Sequence, residues 1–305
     1  FALPTDVSEA GQQTFTDKHK TTCVDPEAHD VDPGSMWYYY RPRIEGCDIT
    51  DAEVVKTTAK VTKSPDNTTS KYPEYQEVWK DDRLEIVAIF GKYEATATSN
   101  DAGIDGFNQF LTTMKQDFAS QNPKVSGDPK RDMTIEATLA DGKTVKITAL
   151  LVDAITQVWD GFQARYESLT PTADIIAYNG HAGLGQNVRA LAKMGKWQAG
   201  KYQIFFMNGC DTFAYVDGSL AQTRAALNPD DPGGTKYMEF VTNAMPSFFS
   251  SMPFASQALI KGMLGYDQPK TYDQIFANID DNEVVLVTGE EDNVFMPGMP
   301  IGSQH

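Results

Sequence analysis

From residue 83 onward the chain alternates between two hydrophobic patterns. Short apolar runs rich in β-branched and aromatic residues close on Gly or Asn-Gly, and between them lie stretches whose apolar residues recur every three or four positions. LEIVAIFG (84–91) predicts a strand. In IDGFNQFLTTMKQDF (104–118), Ile104, Phe107, Phe110, Leu111 and Met114 share one helical face and predict a helix. MTIEATLADGKTVKITALLVD (133–153) carries two alternating runs around Asp141-Gly142, the pattern of a β-hairpin. AITQVWDGFQARYESL (154–169) predicts an amphipathic helix, ADIIAYNG (173–180) a strand, LGQNVRALAKMG (184–195) a short helix stopped at Gly195, and YQIFFMNG (202–209) another strand. KYMEFVTNA (236–244) and NEVVLVTG (282–289) complete the strands; PSFFSSMPFASQALIKGML (246–264) and TYDQIFANI (271–279) complete the helices.

Several of these strands are apolar on both faces, which suits the centre of a mostly parallel sheet covered by helices on each side. The expected fold class is therefore α/β, a three-layer α/β/α sandwich over residues 81–305. Residues 1–80 differ: they are polar and Thr-rich, with turn signals at DPEAHDVDPGS (25–35) and KSPDNTTSKYP (63–73), and are read as an N-terminal arm or small subdomain. Within them MWYYYRPR (36–43) predicts a short strand, and offers a sharper alternative as a stacking platform for carbohydrate. DPEAHDVDPG lacks the spacing of a calcium loop and is read as an acidic turn.

Composition narrows the function classes. At 305 residues and 41% hydrophobic content the chain can bury a sizeable core, and a formal charge of −16 repels nucleic acid and anionic lipid. No nucleic-acid partner is expected, and no apolar run approaches the roughly 20 residues of a membrane span. The opening FALPTDVSEAGQQ is what a mature exported chain would show, so a periplasmic or secreted location is expected. The three cysteines allow a Cys23–Cys47 disulfide with Cys210 left free, or three reduced thiols. A disulfide closing that loop would stabilise by about 3 kcal/mol in the chain-entropy model and would persist in an oxidising compartment.

The candidate chemistry sits at two strand ends. ADIIAYNG runs into His181 and YQIFFMNG runs into Cys210, each through Asn-Gly. In open α/β sheets ligands bind beyond the carboxyl ends of the strands, and neighbouring parallel strands lie about 4.8 Å apart. An imidazole beside a thiol can take its proton and later protonate the leaving group, so Cys210 and His181 form a possible dyad. The amides of Ala182 and Cys210 could bind the oxyanion. Asp211 could meet a basic substrate side chain or cap the turn that follows it; Asn179 and Asn208 could orient His181, flank the oxyanion or simply make turn hydrogen bonds; the segment FVTNAMPS (240–247), with Asn243 in it, is the next strand end and could form one pocket wall. GHAGLG lacks the dinucleotide and phosphate-loop patterns, no Gly-x-Ser-x-Gly elbow occurs, and no His/Cys spacing suits zinc, so no cofactor and no metal is expected.

The order apolar strand, His, helix, apolar strand, Cys resembles the caspase-like cysteine peptidases of clan CD, and among them the short bacterial, clostripain-, gingipain- and legumain-like members more than the caspases. The resemblance rests on residues 173–215, with strand order agreeing over 84–289. It implies a caspase–haemoglobinase fold, with Cys210 as nucleophile, His181 as general acid and base, and a peptide or protein as substrate. Many members have Gly after the His and Ala before the Cys, where this chain has Ala182 and Gly209. The other expected reading is a catalytically inactive member of the fold serving as an extracellular peptide-, glycan- or protein-binding module.

Overall fold

The structure is a computed structural model that describes residues 2–26, 28, 31–33, 36–41, 43–56, 58, 60, 70–155, 158–281, 283–289 and 293–303. The chain divides into two compact units, Phe1–Thr68 and Thr69–His305.

In the first unit, β1 (Ala2–Pro4) pairs antiparallel with β2 (Val54–Lys56), and α1 (Glu9–His19) starts at Ser8, whose hydroxyl accepts the Gly11 N–H at 3.1 Å. Cys23 and Cys47 form a disulfide, and Cys210 is the free cysteine. The aromatic run is not a strand. Met36–Tyr39 forms a short helix, α2, and Tyr40 makes only an isolated bridge to Val24. A strand needs a partner ladder, and β propensity without one does not hold an extended segment. Met36 and Tyr39 are buried, so neither serves an exposed stacking surface. The side chains of Trp37 and Tyr38, parts of the acidic turn at 25–35 and most of the turn at 63–73 lie outside the described residues.

The second unit is an α/β fold around a mixed eight-stranded sheet. Its elements follow in chain order: α3 (Tyr75–Val78), β3 (Arg83–Gly91), α4 (Ala102–Asp117), β4 (Lys124–Asp128), β5 (Asp132–Thr138), β6 (Thr144–Val152), α5 (Phe162–Leu169), β7 (Ile175–Asn179), α6 (Gln186–Met194), β8 (Gln203–Asn208), α7 (Thr212–Tyr215), α8 (Ser219–Leu227), β9 (Met238–Asn243), α9 (Met252–Leu264), α10 (Tyr272–Ile275) and β10 (Val285–Gly289). The strand order is β10-β9-β8-β7-β3-β6-β5-β4. The five strands from β9 to β6 run parallel; β10 pairs antiparallel with β9, β5 with β6, and β4 with β5.

Alternation along β3 shows how the layers form. Leu84, Ile86, Ala88 and Phe90 face a core with Phe107, Phe110 and Met114 of α4 and Leu259 of α9. Val87 and Ile89 face a second core with Phe162 and Tyr166 of α5 and Leu191 of α6. Helices thus cover both sides of the sheet, the arrangement that its doubly apolar strands require. Two departures from the sequence pattern have local causes. Helix α5 starts only at Phe162, because Gly161 takes a left-handed φ of 89° at its N-cap and breaks the longer predicted helix. Strand β4 carries no apolar alternation; it is an exposed edge created by pairing with β5. Among the described residues no helix is long and apolar enough to cross a membrane.

Candidate active site

β7 and β8 are adjacent and parallel, and Asn179 pairs with Asn208 in register. The Gly180 N–H continues the ladder to the Asn208 carbonyl at 3.1 Å. His181 and Cys210 therefore leave neighbouring strands at the same level, two residues beyond the paired asparagines.

The three strand-end asparagines form a chain of hydrogen bonds. Asn208 Nδ2 donates to Asn179 Oδ1 at 3.1 Å and to the Met252 carbonyl at 3.0 Å, and Asn243 Nδ2 donates to Asn208 Oδ1 at 2.7 Å. Ser256 donates to Asn179 Oδ1 at 2.7 Å. All three amides are buried, and an amide that offers both donors and an acceptor can satisfy each neighbour in turn. In this structure they fasten the ends of β7, β8 and β9 together.

The backbone between them is equally constrained. A Cβ on Gly209 would stand 2.5 Å from the Gly180 carbonyl oxygen, so the residue before Cys210 must be glycine for the two loops to touch. Ala182 has φ −71° and ψ −24°, a conformation any residue adopts, and needs no glycine. The two positions that differ from the family pattern thus each fit their local geometry.

His181 is oriented by a group that the sequence does not single out. Its Nε2 lies 3.0 Å from the Tyr93 carbonyl oxygen. A carbonyl only accepts, so Nε2 carries the hydrogen, and the neutral ring keeps its lone pair on Nδ1. The ring sits between Tyr93 and Phe249, with centroids 5.2 and 4.9 Å away. The His181 carbonyl accepts from Tyr178 Oη at 2.7 Å and Asn187 Nδ2 at 2.6 Å. Burial pushes the Tyr178 phenol far up, so it remains a donor throughout the accessible pH range.

Tyr93 follows β3, and β3 is the point where the chain passes first to β6 on one side and then to β7 on the other. Such a switch in strand order opens a crevice at the carboxyl edge. The loop there is set by Asp101, whose carboxylate accepts N–H groups from Tyr93 (3.1 Å) and Glu94 (2.8 Å) while capping α4 at Gly103 (2.9 Å) and Ile104 (3.1 Å). Burial raises the Asp101 carboxyl, but the four N–H bonds outweigh it and hold the group below its usual range. Asp101→Ala is expected to lower stability by about 2 kcal/mol, since it removes a cap and leaves buried N–H groups unmatched. Denaturant unfolding measures that loss, and the ¹⁵N shifts of His181 should report a mixed tautomer once the Tyr93 carbonyl is free to move.

Cys210 is partly buried, and its Sγ donates to the Ser247 carbonyl at 3.5 Å. Burial pushes its thiol up; the Ser247 backbone contact offsets this in part, and the charge of Asp211 pushes further up. The resting sulfur is therefore a thiol at neutral pH and needs a base to react. Asp211 adopts a left-handed φ of 52°, which turns the chain sharply after Cys210, and its N–H bonds to the Met245 carbonyl at 3.2 Å. It occupies the N-cap position of α7, yet its side chain makes no capping hydrogen bond, against the turn-capping reading. The amides of Ala182 and Cys210 each precede a short helical turn, and among the described residues neither is matched to a backbone acceptor.

Elsewhere, His19, Cys23 and Asp48 come together in the first unit with a metal-like donor set. Cys23 is bonded to Cys47 there, and both His19 nitrogens already face carboxylates, Asp48 at 2.7 Å and Glu53 at 3.1 Å. An open cavity of about 740 Å³ lies at the opposite edge of the sheet, by the starts of β3 and β6, and no His or Cys lines it.

The sequence singles out His181 and Cys210, and includes Ser247 in the expected pocket wall, but does not single out Tyr93, Phe249, Asp101 or Glu283. Asp101 alone carried a legible signal, as an N-cap residue ahead of a helical pattern. No family model matches the chain, and no curated protein matches it by sequence.

Proposed function

We propose that this chain is a caspase-like cysteine endopeptidase or a closely related thiol hydrolase, acting through Cys210 and His181 on a peptide or protein in a periplasmic or extracellular compartment. The observation that carries the reading is the Asn179–Asn208 register, which brings the one free thiol and a carbonyl-oriented imidazole to adjacent strand ends. The Cys23–Cys47 disulfide is consistent with an oxidising location.

In this mechanism Nδ1 of His181 takes the Cys210 proton as the sulfur attacks the scissile carbonyl carbon. The S–C bond forms and the carbonyl π pair moves to oxygen, where the Ala182 and Cys210 amides hold the charge. The C–N bond then breaks, and the imidazolium gives its proton to the leaving amine. Water, deprotonated by His181, attacks the thioester; the S–C bond breaks and the sulfur recovers the proton. The bond from Nε2 to the Tyr93 carbonyl persists throughout and stabilises the imidazolium.

A panel of peptidyl acyloxymethyl ketones with varied P1 residues tests the reading. The expected result is a single adduct on Cys210, formed faster than free cysteine reacts and absent in His181→Ala. No adduct from any peptide with the folded protein would overturn the peptidase reading and leave the binding module.

A further inference from the structure

Beside Cys210 lies a carboxyl group in a setting that does not suit a carboxylate. Glu283 is 8% exposed, and among the described residues no Lys, Arg or His pairs with it. Its Oε1 contacts Ser247 Oγ at 2.9 Å and Ser251 Oγ at 2.6 Å, and no backbone N–H of α9 reaches it. Its Oε2 is buried with no hydrogen-bond partner.

The hydrogen atoms in this cluster can be counted. Ser247 Oγ has one hydrogen; of the two acceptors it faces, Asn208 Oδ1 at 3.1 Å already receives Asn243 Nδ2, so the hydrogen is available to Glu283 Oε1. Ser251 Oγ also has one hydrogen; the Phe248 carbonyl beside it at 3.0 Å already accepts the Ser251 and Met252 N–H groups, so that hydrogen is available to Glu283 Oε1. Asn243 contacts Glu283, and its Oδ1 is a second buried acceptor without a donor. Turning the amides over does not help. Nδ2 of Asn208 is fixed by the Met252 carbonyl and Nδ2 of Asn243 by the Gly209 carbonyl at 3.3 Å, and carbonyls only accept. Two hydroxyls on Oε1 would be the hydrogen bonds that an ionised Glu283 receives, with Oε2 left bare and no cation paired to it among the described residues, which is little to hold a buried charge. One proton on the carboxyl removes the charge and lets the acid donate to one of the two serine hydroxyls, which frees that hydroxyl for its other acceptor.

We propose that Glu283 is a positioning residue, held as a neutral carboxylic acid, that locks the segment 247–251 and so fixes the Ser247 carbonyl against the Cys210 thiol. The proposal rests on the dyad reading for its relevance to catalysis. Ser247 is the link, since its hydroxyl meets Glu283 and its carbonyl meets Cys210. Burial raises the Glu283 carboxyl, the contacts from Ser251, Ser247 and Asn243 partly offset this, and the charge of Asp280 adds to the rise. Among the described residues, the charged or titratable groups that act on Glu283 are Asp280 and Cys210, both of which oppose a second negative charge. A neutral Glu283 leaves the site free of a buried anion when the thiolate and the oxyanion form. An ionised one would repel both, so reactivity should fall again on the alkaline side.

Infrared difference spectra between the wild type and Glu283→Gln test the protonation. A protonated-carboxyl stretch at neutral pH, missing in the variant, is expected; finding only carboxylate bands overturns the proposal. For positioning, amide exchange of 247–251 and Cys210 labelling by a peptidyl ketone are compared. Gln, which can donate as the acid does, should stay within about twofold of wild type, whereas Glu283→Ala should exchange about tenfold faster and label about tenfold slower. Exchange in Glu283→Ala equal to wild type, or in Glu283→Gln as fast as in Glu283→Ala, would leave Glu283 as mere packing. Infrared and exchange do not depend on catalysis. A failed dyad, seen as labelling indifferent to His181→Ala, is thereby distinguished from a failed Glu283.

Discussion

Replacing His181 with Ala is expected to lower peptide hydrolysis by about four orders of magnitude, the scale lost when a nucleophile is deprived of its base. The pH dependence gives the sharper signature. Burial raises the Cys210 thiol and the charge of Asp211 adds to the rise, so the folded protein holds less thiolate at neutral pH than free cysteine does. Without His181, alkylation by iodoacetamide should be slower than for free cysteine at pH 7. It should keep climbing with pH beyond the ordinary thiol range, because the group titrates higher. With His181 present, a peptidyl electrophile should react well below that range, since Nδ1 accepts the proton as the bond forms. An alkylation profile in His181→Ala that levels off at or below the free-thiol value would contradict the raised thiol. An unchanged hydrolysis rate would exclude His181 as the base.

Asn208→Leu should give the largest loss of stability at the site, about 3 kcal/mol, because the side chain is fully buried and meets four partners. Leucine is close in size, so the effect reads hydrogen bonding more than volume. The Met252 carbonyl loses its amide donor outright, and Asn243 keeps only the longer bond to the Gly209 carbonyl. Asn208→Asp should be worse, since it would place a carboxylate oxygen against Asn179 Oδ1 and the Met252 carbonyl. Urea unfolding checks both; a loss under about 1 kcal/mol for Asn208→Leu would show that the strand ends are held by backbone pairing and packing instead.

Much of the fold was legible in the chain because it follows from local pattern. The doubly apolar runs at 84–91, 173–180 and 202–209 became β3, β7 and β8, and Asp141-Gly142 became the turn between β5 and β6. Segments without their own periodicity were not legible. β4 exists only through its partner, whereas the aromatic run makes a single bridge at Tyr40 and its Met36–Tyr39 part coils into a turn of helix. The same division runs through the candidate site.

Taken alone, the sequence determined that one His and one Cys each follow an Asn-Gly at the end of an apolar run, because strand termination and turn chemistry are properties of a few adjacent residues. Only the tertiary structure decided that the two ends are in register and that the Tyr93 carbonyl directs the imidazole. It also decided that Asn243, Ser247 and Glu283 stand behind the thiol. Hydrogen bonds between residues tens to hundreds of positions apart depend on strand order and crossover paths, which no local pattern encodes.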